Sequence, residues 1–120
     1  MSQDKWLEDL FASIDARNAS EFANFLARDA VFHFGSAPAV TGRDKIATAV
    51  DQFFSTIAGV SHRLDKVFRQ GNSIAVEGEV TYTRHDQSSV TLPFVDVFDM
   101  AGQEIEGYKI YIDIGPLYAD

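Results

Sequence analysis

The chain has no cysteine. That rules out a disulfide framework, a thiolate metal site and a thiol nucleophile, and it suits a reducing compartment. Basic residues are scarce as well: ten Lys and Arg face eighteen Asp and Glu, for a net charge of −8. The ten are scattered along the chain, so no basic face exists to neutralise phosphates, and nucleic acid is excluded as a partner. The acidic surplus argues equally against anionic membranes and reads as a solvated surface. No apolar run approaches the ~20 residues of a membrane helix. The opening "MSQDKWLEDLF" carries acids where a secretory signal needs bases and an apolar stretch. A soluble, cytoplasmic protein is the expectation.

What is present is enough for a core. The 120 residues fit one domain over 1–120, 46% hydrophobic, with ten Phe, four Tyr and one Trp. Residues 4–17 have helical spacing, with Trp6, Leu7, Leu10, Phe11 and Ile14 on one stripe. "RNAS" breaks the pattern, and Ser20 suits the N-cap of a short second helix carrying Phe22, Phe25 and Leu26. "AVFHF" at 30–34 is strand-like, and "GSAPAVTG" is a loop. A third helix is predicted from Arg43 to Ile57, with Gly59 at its C-terminal cap.

The period then changes. Four β segments are predicted at 61–69, 73–85, 89–99 and 104–114, joined by the short turns "QGN", "HDQSS" and "DMAGQ". Short joints make antiparallel neighbours. Helices followed by a meander give an α+β domain, here a cone-shaped, strongly curved antiparallel sheet wrapped around N-terminal helices. Such a cone commonly holds a small apolar ligand.

Alternation assigns most strand faces. In 73–85 the even positions, Ile74 to Tyr82, form the buried face, with Arg84 at its end. In 89–99 the even face holds Val90, Leu92, Phe94, Asp96 and Phe98, while Pro93, Val95 and Val97 make the other face apolar too. Apolarity on both sides suggests a covered outer face, as in a homodimer. In 104–114 alternation does not decide. If the apolar even face meets a partner, Tyr111 and Asp113 look into the cone.

The resulting constellation is Arg84, Asp96 and Asp113, with Tyr82 and Tyr111 nearby. One carboxyl beside arginine stays ionised as a base, and another in an apolar wall stays protonated as a donor. A structural Arg–Asp bridge fits the same residues equally well. His62 opens a strand, where it can line the pocket mouth as an acid or base or simply stay half-exposed. His33 is expected to face away from Phe32 and Phe34, and His85 to be solvated. No two histidines have ligand spacing, so no metal is expected. "GSAPAVTG" lacks a phosphate-cradling pattern, and no cofactor is expected.

With "DAVFHF", "GRDKI" and "IEGYKIYIDIGPLY" in this order, the chain resembles the nuclear transport factor 2-like superfamily. More narrowly it resembles the SnoaL-like and ketosteroid-isomerase-like group. The resemblance spans nearly the whole chain and implies the cystatin-like α+β barrel, a fold shared by enzymes, binders and accessory domains. "LPFVDVFDM" is similar to the isomerase strand that bears a protonated aspartate, which places Asp96 in that role. The isomerase base falls at Phe34 and its helix tyrosine at Leu10, so that mechanism does not carry over. "TRHDQ" and "YIDI" are similar to limonene epoxide hydrolases, with Arg84, Asp86 and Asp113 in the reacting roles. There the water-holding positions fall at Phe32 and Phe34, and Asp86 reads as a turn residue. SnoaL-like cyclases need only an acid/base carboxylate in an apolar pocket, which Asp113 or Asp96 supplies.

The expectation is therefore a cofactor-free isomerase, cyclase or lyase acting on a small hydrophobic carbonyl compound. Asp113 is the expected base, Asp96 the proton donor and Arg84 the charge-fixing residue. The expected pocket walls are Phe32, Phe34, Phe53, Phe54, His62, Val80, Tyr82, Phe94 and Tyr111. The rival readings are a non-catalytic hydrophobic-ligand binder, a protein-interaction domain and an epoxide-hydrolase-like enzyme.

Overall fold

The computed structural model describes residues 5–119. Asp4, with which the first helix was expected to begin, lies outside them. The elements are α1 (Lys5–Asp15), α2 (Ala19–Ala23), β1 (Leu26–Phe34), β2 (Val40–Thr41), α3 (Arg43–Ser55), β3 (Gly59–Gln70), β4 (Ser73–Thr83), β5 (Ser89–Ala101), β6 (Glu104–Tyr111) and α4 (Gly115–Tyr118). The six strands form one curved, unclosed sheet in the order β2-β1-β6-β5-β4-β3. All neighbours are antiparallel except β1 and β6, which run parallel. This is the expected α+β cone.

Helix α1 buries Leu7, Leu10 and Phe11 against the concave face of the sheet. Trp6 and Phe11 meet Phe98 edge-on, at ring-centroid distances of 5.7 and 6.5 Å. Helix α3 presents Ile46, Val50 and Phe54 to the same core. Both stripes follow the 3.6-residue period of an amphipathic helix.

Several boundaries differ from those expected. The N-cap of α2 is Asn18, whose side chain accepts from the Glu21 N–H at 3.1 Å, and Ser20 lies inside the helix. Leu26 starts β1 rather than ending a helix, because its backbone register is set by Ile105 of β6. Helix α3 is capped at Thr56, which leaves Gly59 to open β3. The two-residue β2 and the single turn α4 carry too little pattern to be read from sequence.

The curvature has a local cause. The β3–β4 register slips between Leu64 and Lys66, opposite Gly78. A β-carbon on Gly78 would lie 1.9 Å from the Arg63 carbonyl oxygen. Only glycine lets the bulged strand approach this closely, and a bulge bends and twists the sheet.

A second irregularity decides the faces of β6. Asp99 pairs with Gly107, but Met100 pairs with Ile105, so Glu106 is the extra residue. Ile105 and Tyr108 therefore both point inward and are buried. From Tyr108 onward the even residues face the core and the odd residues face out. The expectation that Tyr111 and Asp113 look into the cone is thus overturned: Tyr111 is 57% exposed and Asp113 is exposed.

Candidate functional site

Between α3 and the concave sheet lies an apolar cavity of about 230 Å³. Phe32 and Phe34 of β1, Phe53 and Phe54 of α3, Val80 and Tyr82 of β4 and Phe94 of β5 line it. These are the expected walls apart from Tyr111. Phe22, Ile110, Ile112 and the loop residues Ala37 and Pro38 are also in the lining.

Two polar pairs interrupt this surface. The first is on neighbouring strands. Asp96 pairs in register with Ile110 and Phe98 with Tyr108, so Asp96 and Tyr108 are diagonal neighbours on the inner face. The Tyr108 hydroxyl donates to Asp96 Oδ2 at 3.0 Å. Asp96 is only 2% exposed, and its Oδ1 has no hydrogen-bond partner among the described residues. Burial pushes its carboxyl up to about 8, against a smaller downward pull from the Tyr108 hydroxyl. The same burial, with Asp96 beside it, raises the Tyr108 phenol well above its ordinary value. Burial also raises Tyr82. At neutral pH Asp96 is therefore an uncharged acid. Its Oδ2 already accepts from tyrosine, so its own proton belongs on Oδ1, the oxygen without a partner.

The second pair joins distant parts of the chain. Asp15, in the last turn of α1, accepts from the His62 backbone N–H at 3.2 Å and lies 2.6 Å from His62 Nδ1. The imidazole lines the cavity, tilted against Phe11 at 4.9 Å and edge-on to Phe94 at 5.3 Å. With Nδ1–H donated to Asp15, Nε2 is the nitrogen left to serve the cavity. A carboxylate that fixes the tautomer and orientation of a histidine is a recurrent way to set up a general base.

The expected trio of Arg84, Asp96 and Asp113 is not assembled. Arg84 lies just past the end of β4 and reaches away from the cavity. Its Nε and Nη2 donate to the Leu117 and Pro116 carbonyls at 3.0 and 2.9 Å, and its Nη1 to Ser88 Oγ at 3.0 Å. It clamps the final carbonyls of α4, where a cation suits a helix end. Asp113 Oδ1 accepts from the Gly115 N–H at 3.0 Å and shapes the entry to that turn. Asp86 accepts from the Ser88 backbone N–H and hydroxyl at 2.9 and 2.6 Å, an ordinary Asx turn. His85, expected in solvent, is exposed but has Nε2 3.0 Å from the Ser55 carbonyl. Among the described residues no group of His, Asp and Glu has the arrangement of a metal site, and no helix is long and apolar enough to cross a membrane.

Sequence reasoning missed Tyr108 and Asp15. Tyr108 stands on the apolar face of its strand, and only the bulge at Glu106 tells which face that is. Asp15 stands off the apolar stripe of α1 like any solvated acid, and nothing in its spacing ties it to His62, 47 residues away.

A curved sheet over helices, with a buried acid and an oriented histidine beside an apolar cavity, defines a domain of the α+β cone class. The sequence model of the SnoaL-like domain matches residues 7–108, and the chain belongs to that family. No curated protein matches it. Among solved structures it is similar to an NTF2-like protein of unknown function from Burkholderia pseudomallei, at TM-score 0.85 and 18% identity over 98% of this chain and 95% of that one. A protein with a ketosteroid isomerase-like fold from Catenulispora acidiphila, in complex with trimethylamine, gives TM-score 0.81 and 18% identity over 88% and 82%. A putative SnoaL-like polyketide cyclase from Jannaschia sp. gives TM-score 0.81 and 14% identity over 94% and 86%. At such identities the likeness is one of fold.

Proposed function

We propose that the chain is an acid–base enzyme acting on a small hydrophobic carbonyl compound. The carrying observation is the buried Asp96, hydrogen-bonded by Tyr108 and with Oδ1 unpartnered, in an apolar cavity that also holds the Asp15–His62 pair. A ketone oxygen placed at Oδ1 accepts the Asp96 proton as a hydrogen bond. His62 Nε2 removes a proton from the adjacent carbon. The electron pair of the broken C–H bond forms the enol double bond, and the charge gathering on oxygen is held by Asp96, whose Oδ2 in turn accepts from Tyr108. If the substrate carries a β,γ double bond, the electron pair extends along it and the imidazolium returns the proton at the γ-carbon, which is an isomerisation. If a hydroxyl stands β to the carbonyl, the imidazolium protonates it and water leaves, which is a dehydration. Proton and leaving group both come from the substrate, so the step is balanced without an electron acceptor.

The test is solvent exchange at the α-carbon of enolisable cyclic ketones in D2O, followed by proton NMR. We expect exchange above the buffer rate, falling by about 10²–10³ in Asp96→Asn and about 10²–10⁴ in His62→Gln. Exchange that is equally fast in both variants, or absent for every ketone tried, removes the proposal.

The epoxide-hydrolase reading loses support, because Arg84, Asp86 and Asp113 all lie away from the cavity lining. The binding-module reading draws on the aromatic walls, and it takes over if ketones bind without exchange. For assembly we propose a homodimer through the outer sheet face, on the strength of exposed Pro93 and Tyr111 and half-buried Val95 and Val97. Sedimentation equilibrium reads this directly, and a monomer at all concentrations refutes it.

A further inference from the structure

We infer that the cavity accepts only uncharged compounds of about one ring, or two fused rings, and that Phe53 sets this limit. The inference rests on the same site as the proposed function, but it depends on the shape and charge of the walls rather than on proton transfer.

Size comes first. An apolar cavity of about 150 Å³ holds a benzene, so roughly 25 Å³ goes with each ring atom. At about 230 Å³, the cup has room for about nine or ten non-hydrogen atoms. A tetracyclic ketone is roughly double that.

The boundary is a set of rings from three elements. Phe53 of α3 stands edge-on to Phe34 of β1 at 4.9 Å and 77°, and to Tyr82 of β4 at 5.7 Å and 84°. All three line the cavity. Edge-to-face geometry is the favoured packing of such rings, and Phe53 is the member that both others touch. Close-packed side chains shift between discrete arrangements rather than stretch. A ligand larger than the cup must therefore break the contacts of Phe53 on both sides.

Charge comes second. No Lys or Arg is among the residues lining the cavity, and the Arg84 guanidinium is committed to Leu117, Pro116 and Ser88. A carboxylate entering the cup would lose its water beside Asp96 with no Lys or Arg to receive it, and the His62 Nδ1 there already faces Asp15. A neutral oxygen meets a hydrogen-bond donor instead.

Titration calorimetry tests both limits, with three probes on the full chain: tetralone, the ring-matched tetralin carboxylate, and the tetracyclic androstenedione. We expect tetralone to bind, the carboxylate to bind at least tenfold more weakly, and androstenedione not to bind. Phe53→Ala frees the space of about six ring atoms and should admit a fourth probe, the tricyclic anthrone, which the native chain should not bind. Phe53→Leu keeps an apolar contact and should do so more weakly, which covers the case in which the alanine variant fails to fold. Androstenedione binding the native chain as tightly as tetralone overturns the size limit. Equal binding of the carboxylate overturns the charge limit, and no binding of tetralone overturns both. Unchanged selectivity in a folded Phe53 variant removes Phe53 from the account. Asp96→Asn separates this inference from the proposed function. If that variant keeps the size order yet binds tetralone as tightly as the native chain, the size limit is supported and the donor role of Asp96 falls.

Discussion

The Tyr108 hydroxyl donates to Asp96 Oδ2 at 3.0 Å across the β5–β6 seam. Among the described residues it is the one hydrogen bond that this buried carboxyl receives, and it lowers the pKa that burial raises. Removing it in Tyr108→Phe takes away the downward pull on the carboxyl that Tyr108 supplies. Carboxyl-carbon NMR should then show Asp96 titrating above its native value of about 8. A downward move would mean that water or another donor replaces the phenol.

Asp96 makes stability depend on pH. Its carboxyl moves from 3.8 in the open chain to about 8 when folded. Between these values the unfolded state has released the proton and the folded state still holds it. Stability is fully present below the lower value and is lost as pH climbs through the upper one. Asp96→Asn carries no proton to lose. Urea denaturation between pH 4 and pH 8 should therefore slope down less steeply in the variant than in the native chain.

Asp15→Asn should damage proton transfer without emptying the cup. The asparagine can still accept from the His62 backbone, but it no longer favours the Nδ1–H tautomer or stabilises the imidazolium. We expect the exchange rate to fall by about 10²–10⁴ while tetralone affinity stays near native. Loss of affinity in proportion to rate would instead mark Asp15 as a purely structural anchor.

Gly78→Ala places a methyl 1.9 Å from the Arg63 carbonyl oxygen. Backbone cannot yield there as a flexible side chain would. A loss of about 3 kcal/mol or more is expected in chemical denaturation, and a change under about 1 kcal/mol would mean that the bulge relaxes freely.

Arg84→Ala should loosen the C-terminal turn and spare the chemistry. It removes the guanidinium donors to the Leu117 and Pro116 carbonyls, a loss of about 1–3 kcal/mol. Hydrogen exchange should quicken around Leu117 while ketone exchange continues. Asp113→Asn is expected to be milder still. A collapse of ketone exchange in either variant would return these residues to the site.

The sequence was most informative where one physical rule acted alone. The stripes of α1 and α3 and the alternation of β4 and β5 have a single period each, and they placed Phe53, Val80, Tyr82, Phe94 and Asp96 on the cavity side. It misled where two rules compete. In β6 the extra residue Glu106 resets the alternation, so Tyr108 rather than Tyr111 faces inward. Arg84 has the right parity but the wrong address, because it stands beyond the last residue of β4 and a four-residue helix draws it outward. The Asp15–His62 contact is purely tertiary, and no local pattern encodes it.

The parallel pairing of β1 with β6 has a consequence for how the molecule comes into being. Phe32 lies beside Tyr108 and Phe34 beside Ile110, so the last of the six strands in chain order is inserted in the middle of the sheet. Until it arrives, β1 and β5 each present an unsatisfied edge open to mispairing. Closing this seam joins segments far apart in the chain, which makes it slow in entropy terms. A chain without β6 leaves β1 and β5 unjoined. Loss of even the last strand should be felt by the whole domain at once, with the floor of the cup and the wall supplied by β1 disappearing together.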